Sequence, residues 1–288
     1  MNRPFFYIVL IATTCLLGCL GQDAHSDVSI DGIKLSDITA TDSTGLPPQI
    51  FFRMFVFEMP AENFTSINDI FKNLSTEPLR FVNKDTFRAN GFNAAFGYNK
   101  MWDPAASRLR QLNAKRIMTK NIFIFDDDGH DIVIAGTNNP QTMLYISKER
   151  IITIANLDSG QFIWRIKAKI IPQRRGTAGV TIMPVFKNNY QPKFTKLIEG
   201  VKPGETVFGS AGFGLNMSNE DFILIGPGRY NSEQATLCNS FFARIGDYVI
   251  DEPSQHKSGS VTVTKQITMK KDAPIIRLYM IVCVRVGN

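Results

Sequence analysis

The apolar positions of this chain follow two rhythms, and the change between them falls near Arg116. From Ile50 to Phe57 almost every residue is apolar or aromatic, which predicts a strand closed by Pro60. Phe64, Ile67, Ile70, Phe71 and Leu74 then recur at three- and four-residue spacing, which predicts a helix capped by Asn63 or Ser66. Asp103-Pro104 predicts a second helix start, an N-cap followed by Pro at the first helical position. Leu109 and Leu112 give that helix an apolar face, and Lys115 and Arg116 suit its C-terminal end.

After Arg116 the pattern is that of strands. Residues 121–125 and 131–135 flank Asp126-Asp127-Asp128-Gly129 and read as a hairpin. Further strands are expected at 142–147, 150–156, 162–171, 180–186, 206–212, 222–225, 237–245, 260–269 and 275–286. In the stretch 162–171, Phe162, Trp164, Ile166 and Ala168 alternate with Ile163, Arg165, Lys167 and Lys169, so that strand has one wet face. The last strand is long and apolar, which suits a central place in a sheet. The expected fold class is α+β and β-rich: mainly an antiparallel sheet or sandwich, with two or so helices in the N-terminal third.

The first nineteen residues carry a different message. Arg3 precedes an apolar run from Phe5 to Leu17, followed by Gly18-Cys19. A run of about 13 residues spans roughly 20 Å as a helix, too short for a hydrocarbon core of ~30 Å, so it reads as a secretory signal. Leu16-Leu17-Gly18-Cys19 resembles the lipobox of bacterial lipoproteins. That resemblance implies lipidation of Cys19, a membrane anchor and a place in the cell envelope. Leu20 follows the Cys, where Asp would favour retention in the inner membrane, so the outer membrane is favoured. The expected organisation is a signal peptide over 1–18, a polar tether over 19–48 and a single β-rich globular domain over 49–288, with a sub-boundary near 116.

The chain carries 32 Lys and Arg against 26 Asp and Glu, a net charge of +6. Removing residues 1–18 removes only Arg3 among charged residues, so 6 − 1 leaves +5. A basic exported protein favours anionic surfaces, and the scattered Lys and Arg argue against nucleic acid.

Candidate chemistry is sparse. Cys238 and Cys283 sit in apolar stretches, and the sequence leaves open a disulfide or two buried thiols. Their spacing fits no metal site. Asp126–Asp128 with Asp131 is dense in carboxylates but lacks the alternation of a calcium loop, and a turn accounts for it. Gly209-Ser210-Ala211-Gly212-Phe213-Gly214 lacks the residues of a phosphate or dinucleotide loop and reads as a loop or strand edge. Gly226-Pro227-Gly228 reads as a turn. His25, His130 and His256 belong to no hydrolase motif. No catalytic residue, metal site or cofactor is therefore expected. The expected role is a structural or interaction module with an envelope partner or a second copy. A hydrolase of cell-wall or surface polymers and a small-ligand or metal-binding lipoprotein are the alternatives.

The order of segments from Pro48 to Phe242 resembles the secretin domain of outer-membrane assemblies. The matching stretches are 48–58, 109–112, 117–125, 130–136, 166–172, 179–185 and 214–226. Gly226-Pro227-Gly228 stands where that family has Gly-Gly-Leu, and its Pro-rich segment is not recognisable in 229–242. The resemblance implies a β-rich body and a part in a secretin-like assembly. The chain also resembles a group of bacterial lipoproteins without assigned activity, through Asn90-Gly91-Phe92 and Arg277-Leu278-Tyr279.

Overall fold

The computed structural model describes residues 49–125, 129–189, 204–231, 233–252 and 266–287. In chain order the elements begin with β1 (Gln49–Pro60), α1 (Phe64–Lys72), β2 (Arg80–Phe81), α2 (Lys84–Ala89), β3 (Phe92–Gly97), α3 (Trp102–Gln111) and β4 (Lys115–Phe125). There follow β5 (Gly129–Thr137), β6 (Gln141–Ile146), β7 (Ile152–Leu157), β8 (Gly160–Ile170), β9 (Thr177–Asn188) and β10 (Glu205–Val207). The chain ends with β11 (Phe213–Ser218), β12 (Phe222–Pro227), α4 (Leu237–Phe242), β13 (Ala243–Glu252) and β14 (Gln266–Val286).

These strands form two antiparallel sheets and a separate hairpin. The first sheet runs β3-β12-β14-β1-β4, with β13 also beside β14. The second runs β2-β11-β9-β8-β5, with β10 beside β9. β6 and β7 pair only with each other among the described strands. The α+β, β-rich class expected from the sequence is the one observed.

The first sheet is the middle layer. Ile50, Phe52, Met54 and Val56 of β1 face the second sheet, in one core with Trp164, Ile166, Val180 and Leu215. Phe51, Phe55, Phe57 and Met59 face the other way, onto Ile67, Ile70 and Phe71 of α1 and Trp102 and Leu109 of α3. A strand covered on both faces is apolar at successive positions, which is why β1 and the second half of β14 read as near-continuous apolar runs, interrupted by Arg53 and Glu58 and by Arg277 and Arg285. The second sheet buries one face against the first, and part of its other face is also covered, where Ile163 of β8 and its cross-strand partner Val185 of β9 are 1% and 0% exposed. In β8 Phe162, Trp164, Ile166 and Ala168 are buried and Lys167 and Lys169 exposed, as the alternation predicted, but on the face expected to be wet Ile163 is buried and Arg165 half-buried.

Several expectations are corrected. Residues 121–125 and 131–135 are not a hairpin: β4 pairs with β1 in the first sheet and β5 with β8 in the second. The chain changes sheets between β4 and β5. Lys115 and Arg116 open β4 instead of closing α3. Asn63 occupies the N-cap position of α1 without a side-chain cap bond, and its amide donates instead to the Leu112 carbonyl at 3.0 Å. The stretch 237–245 divides into α4 and β13, so helix is not confined to the first third. Thr236 caps α4 by accepting from the Asn239 N–H at 3.3 Å, and Phe241 and Phe242 pack on Phe92 and Trp164 between the sheets. Strand β10 ends at Val207, and Gly209–Ala211 is a 3-10 turn. α2 and β3 had no clear sequence signal; α2 starts because Asn83 accepts from the Asp85 and Thr86 N–H groups at 3.1 Å each.

Gly226 and Pro227 are buried strand residues, paired with Asn93 and Phe92 of β3. A Cβ on Gly226 would lie 2.4 Å from Leu278 Cδ2 and 3.2 Å from Phe71 Cζ. The glycine lets α1 press onto the middle sheet. Strand β14 is continuous through 266–286, joining the described part of one expected strand to the next. Calls on residues 1–48, on Asp126–Asp128 and on 260–265 lie outside the described residues, and so do His25 and His256.

Candidate functional site

Two apolar surfaces are left without cover among the described residues. The first is the edge of β4, which pairs with β1 on one side only. Ile122 and Ile124 point into the core, whereas Ile117, Met118, Phe123 and Phe125 are between 42% and 53% exposed. Phe123 stacks on Phe51 of β1, with ring centroids 4.5 Å apart and planes at 9°. An eleven-residue edge that shows both its backbone and apolar side chains is a template for another strand.

The second surface is the outer face of the β6–β7 hairpin. Met143 and Leu157 bury one side of it in the main core. On the other side Leu144 stands opposite Ile154 and Ile146 opposite Ile152. Ile152 is 71% exposed and Ile154 61%. Asn90 attaches this hairpin to the body. Its side-chain amide accepts from the Ile146 N–H at 2.7 Å and donates to the Ile146 carbonyl at 2.8 Å, as a neighbouring strand would. It also donates to the Thr86 carbonyl at 2.9 Å. Leu144 N–H completes the attachment by donating to the Ala235 carbonyl at 2.8 Å.

The two segments singled out in the sequence are structural joints. After Asn90, Gly91 has φ +81°, and a Cβ there would meet Cys238 Cβ at 2.9 Å. Phe92 lies among Phe87, Trp164, Phe241 and Phe242. Arg277 donates to Glu58 and to the Ile134 carbonyl, linking β1, β14 and β5. Tyr279 donates to the Phe241 carbonyl at 2.5 Å and so holds α4 on β14.

The charged clusters are satisfied by ion pairs. Glu58, with its side chain 3% exposed, accepts from Arg244 and Arg277. Burial pushes its carboxyl up, but the two guanidiniums outweigh burial and hold it below the usual range. On the outer face of the second sheet Arg165 makes bidentate contacts with Asp131 (2.7 and 3.0 Å) and Glu205 (2.5 and 2.9 Å). Lys187 also reaches Asp131. Burial pushes Asp131 up, and the hydrogen bonds from Arg165 and Lys187 more than reverse this, to a pKa of about 2.

Cys238 and Cys283 are free thiols, buried in the main core on α4 and β14. Cys238 lies within hydrogen-bond reach of the Gly91 and Arg229 carbonyls, at 3.1 and 3.3 Å, and burial pushes its thiol up to about 12. Among the described residues His130 Nε2 is buried without a hydrogen-bond partner, and burial with nearby Lys120 pushes its pKa down, against the pull of Asp131. Among the described residues no three His, Cys, Asp or Glu side chains converge as a metal would need. No helix among them is long and apolar enough to cross a membrane, which says nothing of strands. Sequence reasoning passed over the β4 edge and the outer face of the hairpin, because an exposed apolar residue on a strand has the same sequence signature as a buried one.

No protein-family model matches this chain, and no curated protein matches it. Solved structures do. The Salmonella type III secretion injectisome secretin InvG is 10% identical, with a TM-score of 0.28, over 84% of this chain and 66% of that one. A structure of the injectisome basal body proteins InvG, PrgH and PrgK gives the same identity and score over 46% of that chain. The InvG secretin-domain β-barrel scores 0.26 over 64% of its chain. This chain therefore spans less than two thirds of the InvG chains it matches. At these scores the likeness is weak and carries no argument about what this chain does.

Proposed function

We propose that this protein is an envelope lipoprotein, anchored through lipid on Cys19 at the outer membrane, that works as a structural or interaction module and not as an enzyme. It docks an envelope protein or a second copy by strand addition at β4. The observation that supports this reading is the open β4 edge with Ile117, Met118, Phe123 and Phe125 exposed along it. Strand addition supplies main-chain hydrogen bonds to the groups that β4 leaves unpaired, and the apolar side chains add contact area. The Arg3-to-Cys19 pattern supports the anchor.

Crosslinking of whole envelopes followed by size analysis tests the docking. The wild-type protein is expected in a complex larger than a monomer. The Ile117→Lys, Phe125→Lys double variant is expected to run as a monomer with its melting unchanged, because charges on a strand edge oppose pairing and both side chains are exposed. A wild-type protein that stays monomeric at every concentration and crosslinks to no envelope protein rejects the docking. For the anchor, Cys19→Ser is expected to leave the membrane fraction; a variant that sediments like wild type rejects it.

A further inference from the structure

A cavity lies at the short strand β2. Strand β2 is only two residues long, pairing Arg80 with Gly214 and Phe81 with Phe213 of β11. Around its end, residues of both sheets line an open cavity of about 340 Å³. Four charged side chains border it: Arg80, Arg174, Glu77 and Asp221. Among the described residues no salt bridge joins any of them to another or to a further side chain. Their charges sum to zero.

The remaining lining is equally specific. Asp221 accepts from the Ser218 N–H through Oδ2 at 2.7 Å, and no described group bonds its other oxygen. Asn216 offers an amide to the cavity, and Thr177 and Ser218 lie within 3.1 Å of each other through their hydroxyls. Phe96 and Tyr98 meet edge to face at 4.8 Å and supply an aromatic wall.

We propose that this cavity binds a free amino acid with an apolar or aromatic side chain, by both of its charged ends. A simple anion would meet two carboxylates as well as two guanidiniums, and a simple cation the reverse. A zwitterion satisfies both. Its carboxylate takes the planar fork of Arg80 or Arg174, and its ammonium takes the free oxygen of Asp221 or Glu77. Its side chain lies against Phe96 and Tyr98. At about 340 Å³ the cavity lies at the small end of the roughly 300–1,000 Å³ range of ligand pockets, room for a single amino acid. This activity goes beyond the assembly role and does not depend on it.

The test is a titration of the folded protein, followed through the backbone amide signals of Tyr98 and Asn216. The probes are L-phenylalanine, phenylalaninamide, N-acetylphenylalanine, diphenylalanine and inorganic phosphate. L-phenylalanine is expected to saturate below about 10 mM. Loss of either charge, in phenylalaninamide or N-acetylphenylalanine, is expected to weaken binding at least about tenfold. Arg80→Ala and Arg174→Ala are expected to weaken it similarly with unchanged melting, since both arginines are exposed. Tighter binding of diphenylalanine would assign the site to a short peptide with both ends free, the same chemistry from another source. The proposal is overturned if L-phenylalanine gives no saturable shift, if the blocked analogues bind as well, or if phosphate saturates the same signals with equal strength.

Discussion

Glu58 and Arg277 stand opposite each other in the register of β1 and β14, and Arg277 Nε donates to Glu58 Oε1 at 2.9 Å. Arg244 of β13 reaches the same carboxylate from the far side of β14. One buried carboxylate thus joins three strands, and Arg277 extends the link to β5 through the Ile134 carbonyl.

Removing the carboxylate leaves two guanidiniums without their counter-charge. Glu58→Ala is expected to destabilise the fold by about 3–5 kcal/mol. A urea titration checks this through its midpoint. A shift under about 1 kcal/mol would mean that water satisfies both arginines.

Asn90→Ala removes the three hydrogen bonds that hold Ile146 and Thr86. The expected cost is about 2–3 kcal/mol, and the hairpin is expected to open ahead of the sheets. Amide exchange at Ile146 and Leu144 should rise by orders of magnitude while the β1 and β14 amides stay protected. Equal acceleration everywhere would show that the hairpin and sheets unfold together.

The Asp131 cluster makes stability depend on acid. The folded pKa of about 2 lies below the ~3.9 of an unfolded Asp, so its contribution is complete above about pH 4 and is lost as pH falls towards 2. Denaturant midpoints across that window should fall for the wild type and fall less steeply for Asp131→Asn. Parallel slopes would remove Asp131 from the account.

Gly226→Ala places a methyl 2.4 Å from Leu278 Cδ2 and 3.2 Å from Phe71 Cζ, both buried side chains. The expected loss is about 1–3 kcal/mol. Thermal unfolding of the single variant measures it, and an unchanged melting temperature would show that α1 can lift off the sheet at no cost.

Cys238 and Cys283 should resist thiol reagents in the native protein, because burial pushes both pKa values up and denies access. Both should react once urea unfolds the chain. Fast reaction in buffer alone would indicate local opening around α4 or β14.

Element type was legible wherever the pattern was strong. The Ile50–Phe57 run was legible as a strand, and the alternation at Phe162–Ala168 put Lys167 and Lys169 on the open face, because side-chain direction repeats every two residues in a strand; only the tertiary contacts covered β1 on both faces and buried Ile163. Tertiary contacts decided the rest. The Asp-Gly sequence after Phe125 reads the same whether the flanking strands pair with each other or with distant partners, and here β1 and β8 took them. The apolar run Leu237–Phe242 fits a strand or a helix; the space between the sheets, beside Phe92 and Trp164, made it a helix. Asn90, the open β4 edge and the four charges around the Arg80 cavity depend on residues far apart in sequence, and local patterning carries no record of such neighbours.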